Sequence, residues 1–109
     1  MLLIAAGLSL AGCTPQTPQE KQAEQIEDAA DASADAVEAA AANQAAVMDA
    51  EAANLTNQAG PDGSYDGQRL NVRADALKKE AALVKEQAEA KARALRDAGR
   101  AQASALKAQ

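Results

Sequence analysis

From Glu20 onward the apolar residues recur at spacings of three and four. Ile26, Ala30, Ser33, Val37, Ala41, Gln44, Met48, Ala52 and Leu55 trace one narrow stripe, the signature of a helix with a single side against a partner. The spacing predicts a continuous helix over residues 20–59, about 60 Å long at 1.5 Å per residue. Gly60-Pro61-Asp62-Gly63-Ser64-Tyr65-Asp66-Gly67 then breaks the pattern with a dense run of glycine, proline and aspartate, and residues 60–67 read as a turn. A second stripe begins near Gln68: Leu70, Ala74, Leu77, Ala81, Val84, Ala88 and Leu95. Its first turns have the 3–4 spacing of a heptad. Lys91 interrupts that heptad, and Gly99 among small neighbours weakens the last turns, so fraying is expected beyond about Gln102 within a helix over 68–109. The pattern specifies an all-α chain: two long alanine-rich helices forming an antiparallel helical hairpin, with association into a coiled-coil-like bundle as a further expectation.

Composition sharpens this picture. Of 109 residues 48% are hydrophobic, but most of that fraction is alanine, which buries little surface. The larger apolar side chains are too few to offset the ordering of a compact globule. Alanine instead lowers the local cost of helix, having the best intrinsic propensity. Long thin helices are what such a chain makes. Phe, Trp and His are all absent, which removes aromatic stacking platforms and histidine-based chemistry.

The charges are divided between the helices. Residues 20–59 carry Glu20, Glu24, Glu27, Asp28, Asp31, Asp35, Glu38, Asp49 and Glu51 against the lone Lys21, whereas residues 68–109 hold ten Lys or Arg against five acids. A net charge of −5 therefore hides an acidic first half and a basic second half. Folding at Gly63 would set residues whose numbers sum to about 127 opposite one another. The acidic run Glu24–Glu38 would then lie beside Arg93, Arg96 and Arg100, Leu55 would meet Leu70 and Val72, and Met48 would meet Leu77. Within the first helix Glu24–Asp28, Glu27–Asp31 and Asp31–Asp35 are like-charge pairs four residues apart, destabilising on their own. The second helix has Asp75–Lys79 and Glu89–Arg93 in the favourable order.

The N-terminus carries a different kind of signal. Residues Leu2 to Ala11 are uncharged and mostly apolar, and small residues precede the only cysteine in Leu10-Ala11-Gly12-Cys13. The run is too short for a spanning helix of about 20 residues, and it has the apolar stretch and small-residue cleavage site of a secretory signal. Leu10-Ala11-Gly12-Cys13 resembles the lipobox of bacterial lipoproteins. That resemblance implies removal of residues 1–12 as a signal peptide and acylation of Cys13, with residues 13–19 as lipidated cysteine and linker. Multiple acyl chains would anchor the chain firmly in a lipid bilayer, where a single chain would be marginal. Thr14, where members retained in the inner membrane tend to have aspartate, implies the periplasmic face of the outer membrane. Signals of this class open with Lys or Arg, whereas Met1 runs straight into Leu2-Leu3-Ile4; the expectation is a start upstream of Met1 or a shortened N-terminus.

Other motifs weigh less than their bland alternatives. Asp62-Gly63-Ser64-Tyr65-Asp66-Gly67 imitates the first half of an EF-hand loop, but Arg73 stands where the twelfth-position glutamate should chelate calcium. A helix-capping turn explains the same residues. Ser104-Ala105-Leu106-Lys107 fits S-x-x-K without the companion motifs or cleft that such a nucleophile needs. A solitary cysteine has no partner for a disulfide or a zinc cage. No catalytic residue, metal ligand or cofactor is expected. The functional expectation is a membrane-anchored periplasmic lipoprotein, a non-catalytic strut or adaptor of the cell envelope. Its partners would be the bilayer through acylated Cys13, a second copy or an envelope protein, and an anionic polymer at Arg93, Arg96 and Arg100; nucleic acid is not expected. The alternative is a stress-protective or surface-binding amphipathic helix recruited to anionic lipid or wall polymer. The second half resembles the Ala/Lys/Glu stretches of desiccation-protective proteins, with Val84, Leu95 and Leu106 eleven apart, a spacing that suits a nearly straight helix.

Overall fold

The computed structural model describes residues 17–61 and 63–109. Helix α1 spans Pro18–Ala59 and helix α2 spans Tyr65–Lys107, and the two pack along their whole length as an antiparallel hairpin. Both begin slightly earlier than the apolar pattern indicates, because capping residues fix the starts. Thr17 caps α1 in a reciprocal box: the Glu20 amide donates to Thr17 Oγ1 at 3.1 Å and the Thr17 amide to Glu20 Oε2 at 3.4 Å. Pro18 then occupies the first turn, where its missing N–H costs nothing. Ser64 caps α2, its Oγ accepting from the Gly67 amide at 3.0 Å. Between the helices Gly60 and Gly63 adopt φ of 67° and 58°, values that a side chain disfavours and that reverse the chain within a few residues.

The interior is an alanine seam. The buried residues are Ala23, Ala34, Ala41, Ala45, Ala52 and Ala59 on α1, and Gly67, Ala74, Ala81, Ala88, Ala92, Gly99 and Ala103 on α2. Among the described residues no large side chain is fully buried. Small residues let the two backbones come close, and Gly99 marks the tightest point: a Cβ there would collide with the Ala30 Cβ. Near the turn, a Cβ on Gly67 would lie 2.8 Å from the Ala59 carbonyl oxygen. Both contacts fall within two residues of the register forecast by folding at Gly63.

The stripe expected on α2 is buried or half-buried throughout, but the one on α1 shifts. Ser33 and Gln44 are exposed, and their neighbours Ala34 and Ala45 are buried in their place. The α1 seam follows an eleven-residue repeat, Ala23–Ala34–Ala45 and Ile26–Val37–Met48, which keeps a straight helix in phase. On α2 the heptad gives way to the same longer spacing after Ala88: Lys91 is exposed and Ala92 is buried instead. Gly99 is a point of contact, not a weak one, and the helix continues past Gln102 with Ala103 buried and Leu106 half-buried. Val72 is 68% exposed and points away from the seam, so of the two residues forecast to meet Leu55 only Leu70 lies on it.

The two sides of the seam differ. At about 100° per residue, Ile26, Val37, Met48 and Leu55 lie roughly 20–80° to one side of the buried alanines of α1. Leu70, Leu77, Val84, Leu95 and Leu106 lie on the corresponding side in α2. An antiparallel pair is related by a two-fold normal to its plane, which exchanges the helices but not the faces. All nine therefore share one face of the hairpin, each only half-buried. The opposite face is polar. Among the described residues no helix is long and apolar enough to cross a membrane.

The close approach at Gly99 makes a test of the fold. Alanine gains about 1 kcal/mol of helix propensity over glycine, but overpacking against Ala30 costs about 1–3 kcal/mol. Gly99→Ala is expected to lower the thermal midpoint measured by circular dichroism. A raised midpoint would show that the helices are not held this close.

Candidate functional site

The densest chemistry lies on the polar face, where one arginine of α2 gathers the acidic run of α1. Arg96 Nη1 donates to Glu38 Oε1 at 2.8 Å and Nη2 to Asp35 Oδ1 at 2.8 Å, with Nε 3.8 Å from Asp31 Oδ1. The planar guanidinium suits this task, since its donors fan out to several carboxylates at once. Its side chain is 29% exposed. The hydrogen bond with Glu38 holds the guanidinium above its ordinary value; partial burial opposes that, and Asp35 adds to it. Arg96 thus stays charged, and it relieves the like-charge Asp31–Asp35 pair. One turn from the C-terminus, Lys107 Nζ approaches Glu27 Oε1 at 4.0 Å.

The sequence places three arginines beside the acidic run, and the structure uses one of them. Arg100 turns to Asp97 of its own helix at 3.8 Å, and Arg93 forms no ion pair among the described residues. Helical phase explains the choice, because Arg96 lies just beside the seam while Arg93 and Arg100 sit further round the outside. Asp75–Lys79 and Glu89–Arg93 are likewise not closed as ion pairs. Of two features outside the sequence expectations, one has a signal in the sequence: Thr17-Pro18-Gln19-Glu20 has the spacing of a capping box. Lys107 and Glu27 stand five residues off the register set by Gly99 and Ala30, and residue numbers alone do not bring them together.

The remaining candidate motifs are accounted for by helix structure. Ser64 serves as the cap of α2, and the residues from Tyr65 onward are helical, not loop. The Gln68 side chain donates to the Gly63 carbonyl at 3.1 Å and so stitches the turn to the helix. Ser104 is exposed, its backbone carbonyl accepting from the Ala108 amide at 3.0 Å, and Lys107 faces Glu27. Arg69 lies 5.9 Å from the centre of the exposed Tyr65 ring, within range of a weak cation–π contact. Among the described residues no group of three or more His, Cys, Asp or Glu side chains is arranged to hold a metal ion. Leu10, Ala11, Gly12 and Cys13 lie outside the described residues.

Comparison with family models, with curated proteins and with solved structures returns no match to this chain.

Arg96 is the electrostatic hub, and its removal should show it. Arg96→Ala is expected to lower the melting temperature by several degrees in low salt, and Arg100→Ala to leave it nearly unchanged. Arg96→Lys should recover only part of the loss, because a point charge cannot span two carboxylates. The difference between Arg96→Ala and the parent should shrink in molar salt, where the screening length falls to about 3 Å. Equal effects of Arg96→Ala and Arg100→Ala in thermal melts would refute the hub.

Proposed function

We propose that this chain is a lipid-anchored, non-catalytic element of the bacterial cell envelope, a strut or adaptor held at the periplasmic face of the outer membrane through acylated Cys13. The observation that carries this reading is the order of parts along the chain. A lipobox-like Leu10-Ala11-Gly12-Cys13 is followed by a short linker ending in the Thr17 cap, and then directly by the helical hairpin. Each arm of that hairpin is about 60–65 Å long at the rise of an α-helix. Thr17 and Gln109 lie at one end of the hairpin, and the turn between the helices lies at the other. An anchor at Cys13 would therefore project the turn, with exposed Tyr65 and Arg69 next to it, far from the bilayer surface.

The polar face supports a structural role over surface binding. A helix recruited to anionic lipid or wall polymer needs cations free to meet it. Arg96 is already committed to three carboxylates, Arg100 to Asp97 and Lys107 to Glu27. Arg93 forms no ion pair among the described residues, so the preference rests on the Arg96 cluster, through which the two helices satisfy one another as suits a preformed arm.

Metabolic labelling with a fatty acid tests the anchor. The parent chain should incorporate label and fractionate with outer membranes, and Cys13→Ala should incorporate none and accumulate as a larger, uncleaved form. Labelling and mobility unchanged by Cys13→Ala would remove the anchor from the reading. A lipid-free chain that becomes helical only on anionic vesicles would replace the strut with a surface-binding helix.

A further inference from the structure

We propose that the aliphatic face of the hairpin is covered by a second copy of this chain, giving a parallel four-helix bundle in which α1 of each copy lies over α2 of the other. The inference does not depend on the lipid anchor. It starts from what the hairpin leaves undone. Its own seam buries only alanine and glycine, and among the described residues no large side chain is fully buried. Nine aliphatic side chains line one face half-exposed, and Val47, 67% exposed, extends the same face on α1. A contiguous apolar strip running the full length of a hairpin is more than scattered exposed residues, and such strips mark contact surfaces. The opposite face is polar, and there Asp31, Asp35 and Glu38 already pair with Arg96 within the chain.

The charges beside the strip select the occupant. Glu51 on α1 and Arg73 on α2 border the aliphatic face, and neither forms an ion pair among the described residues. They stand about equally far from the turn, roughly 15–18 Å along the helices at 1.5 Å per residue. A two-fold axis along the hairpin brings α1 over the partner's α2 at the same height, so Glu51 meets the partner's Arg73 and the contact occurs twice. Symmetric pairing of one patch with itself is the ordinary geometry of a homodimer. An anionic bilayer fits the face less well. The charges bordering it are balanced, Glu51, Asp66 and Glu80 against Arg69, Arg73 and Lys91, so it offers no cationic excess, and no aromatic ring lies among the nine aliphatics to sit at an interface. The spacing of the strip follows the same seven- and eleven-residue repeats as the alanine seam, which lets a second pair of helices keep phase with the first.

The test uses the full chain carrying Cys13→Ser, so that no acyl group contributes, with mass measured by light scattering. The expected mass is twice the 11.1 kDa of the chain. Glu51→Arg and Arg73→Glu should each weaken association by about tenfold or more in low salt, by setting like charges opposite twice over. The double variant should restore it. Val47→Glu should also reduce the mass to that of one chain with helicity kept, because Val47 is exposed in the hairpin and its substitution leaves the seam intact. A helical chain of single mass at high concentration would overturn the proposal. So would charge reversals without effect, as an antiparallel bundle would give, or a Val47→Glu variant still of double mass.

Discussion

Everything in this molecule follows from how closely two helices can lie when their contact residues carry one carbon or none. An alanine seam forfeits the burial of large side chains, but it lets the backbones approach and gives continuous dispersion contact along both helices. Alanine also loses no side-chain freedom on burial. The ordering that a chain so poor in large residues must overcome is thereby kept low on both counts. Gly99 against Ala30 and Gly67 against Ala59 are the places where the approach leaves no room even for a methyl group. The same glycines that would weaken an isolated helix are what allow this pair to close.

Such a seam has little power to specify its own register. Alanines offer no distinctive knobs and holes, and a shift by one repeat sets alanine on alanine again. Register must come from features that do not repeat. The turn does part of this, with Gly60 and Gly63 in left-handed conformations and Ser64 starting the return helix. Arg96 does another part, because its fan of donors holds Asp35 and Glu38 together at 2.8 Å in this alignment. Exposed ion pairs contribute little stability. Here their value is in choosing between alignments that packing leaves nearly equal, and between antiparallel and parallel pairing of the two halves.

The sequence displays the fold more clearly than the face on which its chemistry lies. Two helices, a turn at Gly60–Gly67 and an acidic arm against a basic one are visible in spacing and charge alone. The phase of α1 is harder to read, because alanine occurs on all its sides and a stripe drawn through Ser33 and Gln44 looks as regular as one through Ala34 and Ala45. On α2 the large residues are denser and the seam is legible from Leu70 to Leu95. Lys91 appears as an interruption only if the heptad is assumed to continue; with an eleven-residue step the seam passes from Ala88 to Ala92 and nothing is broken. Val72 is apolar and close to the expected level of Leu55, yet it points outward, because level follows from residue number whereas facing follows from phase. The same distinction separates Arg96 from Arg93 and Arg100.

One face of the hairpin is closed by charge, and the other is left open in hydrocarbon. The acidic run of α1 needs a cation, and Arg96 of α2 supplies it to Asp31, Asp35 and Glu38 at short range within the same chain. The aliphatic side chains have only the flanks of alanines to lean on, and the thinness of the seam that brings the helices together also keeps it from covering them. Widening the seam would bury Ile26 or Leu95 at the expense of the close contact at Gly99. A second layer of helices resolves that conflict without disturbing the first, since it adds burial on the open face and leaves the alanine contacts and the Arg96 cluster as they are. In that light the choice of alanine at the centre and larger aliphatics to one side is the pattern of half a bundle, in which the inner seam sets the spacing of each pair and the aliphatic face supplies the core between pairs.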